Sequence, residues 1–139
     1  MIRNILAVVV GLVVGMAFNM FMVIVNTAIY PMPEGVTFED PEGLEAYLAG
    51  LPLTAFLIVL LAHVGQAFFG GLVAAAINRK SAIRVAMIVG LLSMLFGIAN
   101  MMMVPHPAWM WIEMPLYLLA AYAAAKILLC CRKPGPETD

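Results

Sequence analysis

Residues 52–84 read PLTAFLIVLLAHVGQAFFGGLVAAAINRKSAIR. No Asp, Glu, Lys or Arg occurs from Pro52 to Asn78, and Arg79, Lys80 and Arg84 then arrive together. A hydrocarbon core about 30 Å thick takes about 20 helical residues at about 1.5 Å each. The stretch therefore predicts a membrane span, about 52–77, that ends on a basic turn. Three further apolar runs surround it, at about 5–29, 85–104 and 110–129. The chain as a whole is 65% hydrophobic and 11% charged, against about 25% charged in soluble domains. No run alternates in polarity as a spanning β-strand would, so helices must satisfy the backbone in lipid.

The charges give the expected orientation. Arg3 precedes the first run, Arg79, Lys80 and Arg84 lie between the second and third, and Lys126, Arg132 and Lys133 close the fourth. The loop 30–51 has no basic residue but carries Glu34, Glu39, Asp40, Glu42 and Glu45. Lys and Arg favour cytoplasmic loops. The expected fold is an all-α, antiparallel bundle of four transmembrane helices, residues 1–132, with both termini cytoplasmic. The net charge of −1 hides this separation. Anionic lipid suits the basic face, and nothing supports nucleic-acid binding. The first run exceeds a signal-peptide apolar region of about 7–15 residues and reads as a retained helix. Cys130 and Cys131 fall on the reducing side, where a disulfide framework is not expected.

Punctuation fills in the connections. Tyr30-Pro31-Met32-Pro33 stops the first helix, since proline cannot continue one. Asp40-Pro41-Glu42 reads as N-cap, first-position proline and first-turn acid. It predicts a short amphipathic helix on the outer surface with Leu44, Tyr47, Leu48 and Leu51 on one face. Asn78–Ser81 and Pro105–Trp109 are tight turns, and Trp109 and Trp111 suit an interfacial belt. Pro134, Gly135 and Pro136 predict a disordered tail over 133–139. The Asn19-Met20-Phe21-Met22-Val23 and Asn100-Met101-Met102-Met103-Val104 segments are alike. They suggest either a duplicated hairpin or chance likeness between apolar helices.

Each span carries a stripe of small and polar residues. Gly11, Gly15, Gly70, Gly90, Gly97 and Ala124 would let helices approach closely, because packing drives association in lipid. Asn19, Asn26, Asn100, Glu113 and Tyr117 gather toward the outer half, with His63 and Gln66 near the middle. They predict either interhelical hydrogen bonds or an outward-facing polar pocket, since ionisable groups inside a membrane mark sites by default. Met101, Met110 and His106 offer thioether and imidazole groups of the kind Cu(I) accepts. Their spacing is irregular and methionine is a common filler of apolar cores, so no metal is expected. No nucleophile–base set can be assembled on one side, which disfavours an enzyme. No cofactor is expected, although a bound lipid is compatible with the pattern.

His63 through Gly70-Gly71, the turn Asn78–Arg84, Pro105-x-Pro107-x-Trp109 and Pro115-Leu116-Tyr117 resemble small four-helix bacterial membrane proteins of no assigned activity. The resemblance covers most of the second to fourth spans and implies a bacterial inner membrane. The expected role is a structural or interaction subunit that self-associates or packs in a larger membrane complex. The alternative is binding or transport of a small solute, proton or lipid in the polar pocket.

Overall fold

The computed structural model describes residues 1–37 and 39–131; the expected tail at 133–139 lies outside the described residues. Five α-helices follow in order: α1 (Ile2–Ile29), α2 (Pro41–Ala49), α3 (Leu53–Ile77), α4 (Ala82–Met103) and α5 (Glu113–Cys130). No strand occurs among the described residues. Four of the helices, all but α2, are long and apolar enough to cross a membrane. The span boundaries move by a few residues, for local reasons. Arg79–Ser81 forms a single 3₁₀ turn, so α4 starts at Ala82 rather than near residue 85. Ala108–Ile112 forms another, and α5 starts at Glu113 with Pro115 in its first turn, where the missing N–H costs little.

α2 takes the form its cap residues dictate. The Asp40 carboxylate accepts from the Gly43 N–H at 3.1 Å, and Pro41 opens the helix. Leu44 is buried, Tyr47 and Leu48 half-buried. The Tyr47 hydroxyl donates to the Tyr30 carbonyl at 2.7 Å, and the Tyr30 hydroxyl lies 2.6 Å from Thr54 Oγ1. Thus α2 is strapped across the end of α1 and the start of α3. Burial pushes the Tyr47 phenol up from its ordinary value.

α3 is the centre of the bundle and packs on α1, α4 and α5. Glycine makes the closest crossing possible. A Cβ on Gly11 would lie 2.6 Å from the Gly70 carbonyl oxygen, and one on Gly70 would lie 2.7 Å from the Gly11 carbonyl oxygen. Backbone therefore meets backbone there. One helical turn along, a Cβ on Gly15 would meet the Gln66 carbonyl at 2.5 Å. On the other side of α3, Gly71 faces Ala121, and a Cβ on Gly90 would lie 2.7 Å from the Ala121 methyl. Ala124 is fully buried. The small-residue rows are thus occupied by contacts within one chain.

The two ends of the bundle differ. At the turn end, Ala7, Ala74, Val85 and Val89 form one apolar cluster, and Ala75, Ala82, Ala86 and Ala125 a second. Arg3 donates from Nε and from a terminal nitrogen to the Ile77 carbonyl, at 2.9 and 2.6 Å. The Asn78 amide nitrogen donates to Asn4 Oδ1. The Arg3 bonds satisfy the last carbonyl of α3, which has no partner inside the helix, and the asparagine pair ties the start of α1 to the same end. At the α2 end, Phe56, Met101 and Met110 cluster with Leu51, Val59 and Met114 packed against them. Outside, Ile5, Val9, Val13, Phe21, Ile24, Leu95, Leu119 and Ile127 are exposed, a surface that suits lipid tails.

Candidate functional site

Two helices deliver the ionisable groups. His63 lies on the inner face of α3, and Glu113 opens α5. His63 Nδ1 sits 3.1 and 3.0 Å from the two Glu113 carboxylate oxygens. Glu113 is completely buried and His63 is 8% exposed. One proton between Nδ1 and the carboxylate satisfies this contact, whichever atom holds it. The other ring nitrogen, Nε2, has no hydrogen-bond partner among the described residues. It accepts a hydrogen bond when the neutral ring carries its proton on Nδ1, and donates one when the ring is charged or when Glu113 holds the shared proton. Tyr117, one turn along α5 from Glu113, is 1% exposed and stacks its ring 6.2 Å from that of His63. Gly97 makes room for this, since any Cβ there would run into the Tyr117 phenol.

Around these groups lies a cavity of about 170 Å³. It is lined by Met16 and Asn19 of α1, His63 and Gln66 of α3, Ser93, Phe96, Gly97 and Asn100 of α4, and Tyr117 of α5. Gln66 Nε2 donates to Ser93 Oγ at 3.4 Å, a long bond between two buried side chains. The sequence-predicted residues Asn19, His63, Gln66, Asn100 and Tyr117 therefore meet in one place, with Glu113 held behind His63. Both asparagines of the repeated segments line the same cavity.

Asn26 is the exception. It is not among the lining residues, and its Oδ1 is buried with no partner among the described residues. Ser93 is a lining residue that the expected pocket omitted. Its signal was present, since Ser93, Gly97 and Asn100 recur at helical spacing.

The exposure of its lining places an opening of the cavity on the flank of the bundle. Phe56 lies two turns from His63 toward the α2 end of α3, Met101 one turn from Gly97, and Met110 three residues before Glu113. Their apolar cluster lies on the α2 side of the polar groups. Toward the turn end the Gly11–Gly70 crossing closes the space. Met16 and Phe96 are 48% and 55% exposed, yet both line the cavity. The mouth therefore lies between α1 and α4, on the apolar flank of the bundle.

The residues considered for copper take other partners. Met101 and Met110 pack against Phe56, while His106 Nδ1 is 2.7 Å from the Val104 carbonyl oxygen. His106 also lines a separate crevice with Glu45, Leu48, Ala49, Phe56 and the flanking prolines. Among the described residues no group of three or more His, Cys, Asp or Glu is placed to hold a metal ion. Cys130 and Cys131 are exposed and free. Comparison with protein-family models, with curated proteins and with solved structures gave no match.

Proposed function

We propose that this chain is a single-domain, multi-pass protein of the bacterial inner membrane that binds a small polar ligand in the His63 cavity. Four antiparallel spans with both termini cytoplasmic make up the proposed arrangement. The order of the α1–α3 contacts supports it: Asn4 with Asn78, Gly11 with Gly70, Gly15 with Gln66 and Tyr30 with Thr54. So does the gathering of Arg3, Arg79 and Lys80 at the turn end. A cysteine replacing Gly43, in a Cys130→Ser/Cys131→Ser background, is then labelled from outside intact cells and one replacing Ser81 is not. The opposite pattern would reverse every assignment of sides.

The observation that carries the functional reading is the His63–Glu113 pair set at the wall of an open polar cavity. Taking ionisable groups out of water is costly, and inside a membrane it marks working sites by default. The closed turn end favours holding a ligand over passing it through. Four spans are also few for alternating access, which usually rests on repeats around a midplane site.

A second reading has its own support. Only Ala7, Gly11 and Gly15 of α1 are buried. Its bare outer face suits a partner helix, as in a homo-oligomer or a larger membrane complex. Native mass spectrometry of gently purified protein separates the two. The binding reading expects a small-molecule adduct on the wild type that is absent from Glu113→Gln at equal helix content. An intact oligomer with no adduct would favour the subunit reading and sink the binding one.

A further inference from the structure

The mouth of the cavity restricts what can enter it. Ser93 lies ten or eleven residues from either end of α4, or about 15 Å along the helix each way. In a hydrocarbon core about 30 Å thick that is the midplane. Met16 lies at the middle of α1 and Phe96 about two turns from the end of α4, so a water-soluble solute would have to pass about 10–20 Å of hydrocarbon to reach a mouth between them. A phospholipid headgroup sits at the interface and would be displaced from it by a similar distance.

The interior adds a second restriction. A dry cavity of about 150 Å³ accepts a benzene ring, so about 170 Å³ accepts one six-membered ring and little more. Its walls offer amides from Asn19, Gln66 and Asn100, the Ser93 hydroxyl and the free nitrogen of His63. No Lys or Arg is present to neutralise a phosphate or carboxylate. The Tyr117 ring supplies an aromatic wall.

Resting on the binding function proposed above, we infer that the ligand is a bilayer-dissolved molecule with a compact, uncharged ring head bearing carbonyl or hydroxyl oxygens. It enters sideways between α1 and α4 and leaves its hydrocarbon tail among the lipid chains. Gln66, Ser93 and His63 Nε2 bond the head oxygens. Met16 and Phe96 flank the first carbons of the tail.

The test uses the full chain in lipid discs, in the Cys130→Ser/Cys131→Ser background, with thermal unfolding as the readout. 5-Decylresorcinol, a single ring with two hydroxyls, is the probe, its tail-free head resorcinol the second ligand and 1-decanol the tail control. A ligand that binds only the folded state raises the midpoint. The expected result is a rise of about 4 °C or more with 5-decylresorcinol near saturation. Neither the free head nor 1-decanol gives it at equal concentration. Gln66→Met and Ser93→Ala weaken the response at least tenfold in half-saturating concentration, and both retain the volume needed to fold.

An equal response to the free head overturns lateral entry and leaves the polar site standing. An equal response to 1-decanol, unchanged in the variants, overturns recognition of the head. No response to any probe, together with a small-molecule adduct on the purified protein, overturns the ligand class alone. No response and no adduct removes the binding function with it.

Discussion

The turn end and the α2 end of this bundle solve the same problem by opposite means. Helices in lipid gain nothing from hiding apolar surface from one another, so they must be held by packing or by polar bonds. At the turn end they are held by absence of side chain: Gly11 against Gly70, and Gly90 against Ala121. From the middle of the bundle toward the α2 end, α3, α4 and α5 stand further apart, and His63 with Glu113 and Gln66 with Ser93 bridge the gap. Close packing leaves no room for a ligand. Bridging by side chains leaves about 170 Å³. The lesson is that a polar contact between spans can hold helices together while keeping them open, which a glycine crossing cannot.

Substitutions should separate these two devices. The largest effect is expected from His63→Leu, which leaves Glu113 buried without its partner. Removing one member of a buried pair costs about 3–5 kcal/mol, read by unfolding in mixed micelles. The double variant His63→Leu/Glu113→Leu should recover most of that stability while losing the adduct. If the double variant is as unstable as the single one, the pair is architectural and the contrast between the ends collapses. Next comes Gly11→Ala. Its added methyl falls 2.6 Å from a carbonyl oxygen, and overpacking of this kind costs about 1–3 kcal/mol. The adduct should survive in whatever folds. Gly50→Ala, with nothing nearer than 3.5 Å, is the matched control and should change little.

Asp40→Ala removes a helix cap, at about 1 kcal/mol. The loss should appear as faster hydrogen exchange confined to residues 41–49, with the His63 cavity untouched. The smallest effect is the ionisation of Tyr47. Its phenol is raised by burial in the folded protein, so its contribution to docking α2 is complete below the unfolded value of about 10. That contribution is lost as pH climbs through the higher folded value. Absorbance titration should show one late-ionising tyrosine outside the spans, absent in Tyr47→Phe.

Much of this was legible in the residues, and the illegible part has a common cause. Length and charge mark the four spans because lipid imposes both on each helix separately. Asp40-Pro41-Glu42 marks α2 because a cap is a local bond. Asn19, His63, Gln66, Asn100 and Tyr117 could be chosen because helical period sorts polar residues onto one face. What escaped depends on which helices touch. His63 and Glu113 are fifty residues apart, and their pairing follows from α3 packing on α5, which no period reports. The cluster of Phe56, Met101 and Met110 escaped for the same reason, and so did the sideways mouth. Gly11 reads equally well as facing a partner or facing its own chain. Only its contact with Gly70 decides between them. Asn26 fits the face but misses the cavity, and its buried Oδ1 has no explanation in the structure.

The clasp between Arg3, Asn4 and the end of α3 joins residues of one span to residues made much later. Seventy-four positions separate Arg3 from Ile77. At a synthesis rate of about 5–20 residues per second, Arg3 waits roughly 4–15 s for its partner. During that interval α1 must sit in the bilayer unaided, and its nearly uninterrupted apolar surface equips it to do so. The clasp is therefore also a timer: it can close only once the second span is complete.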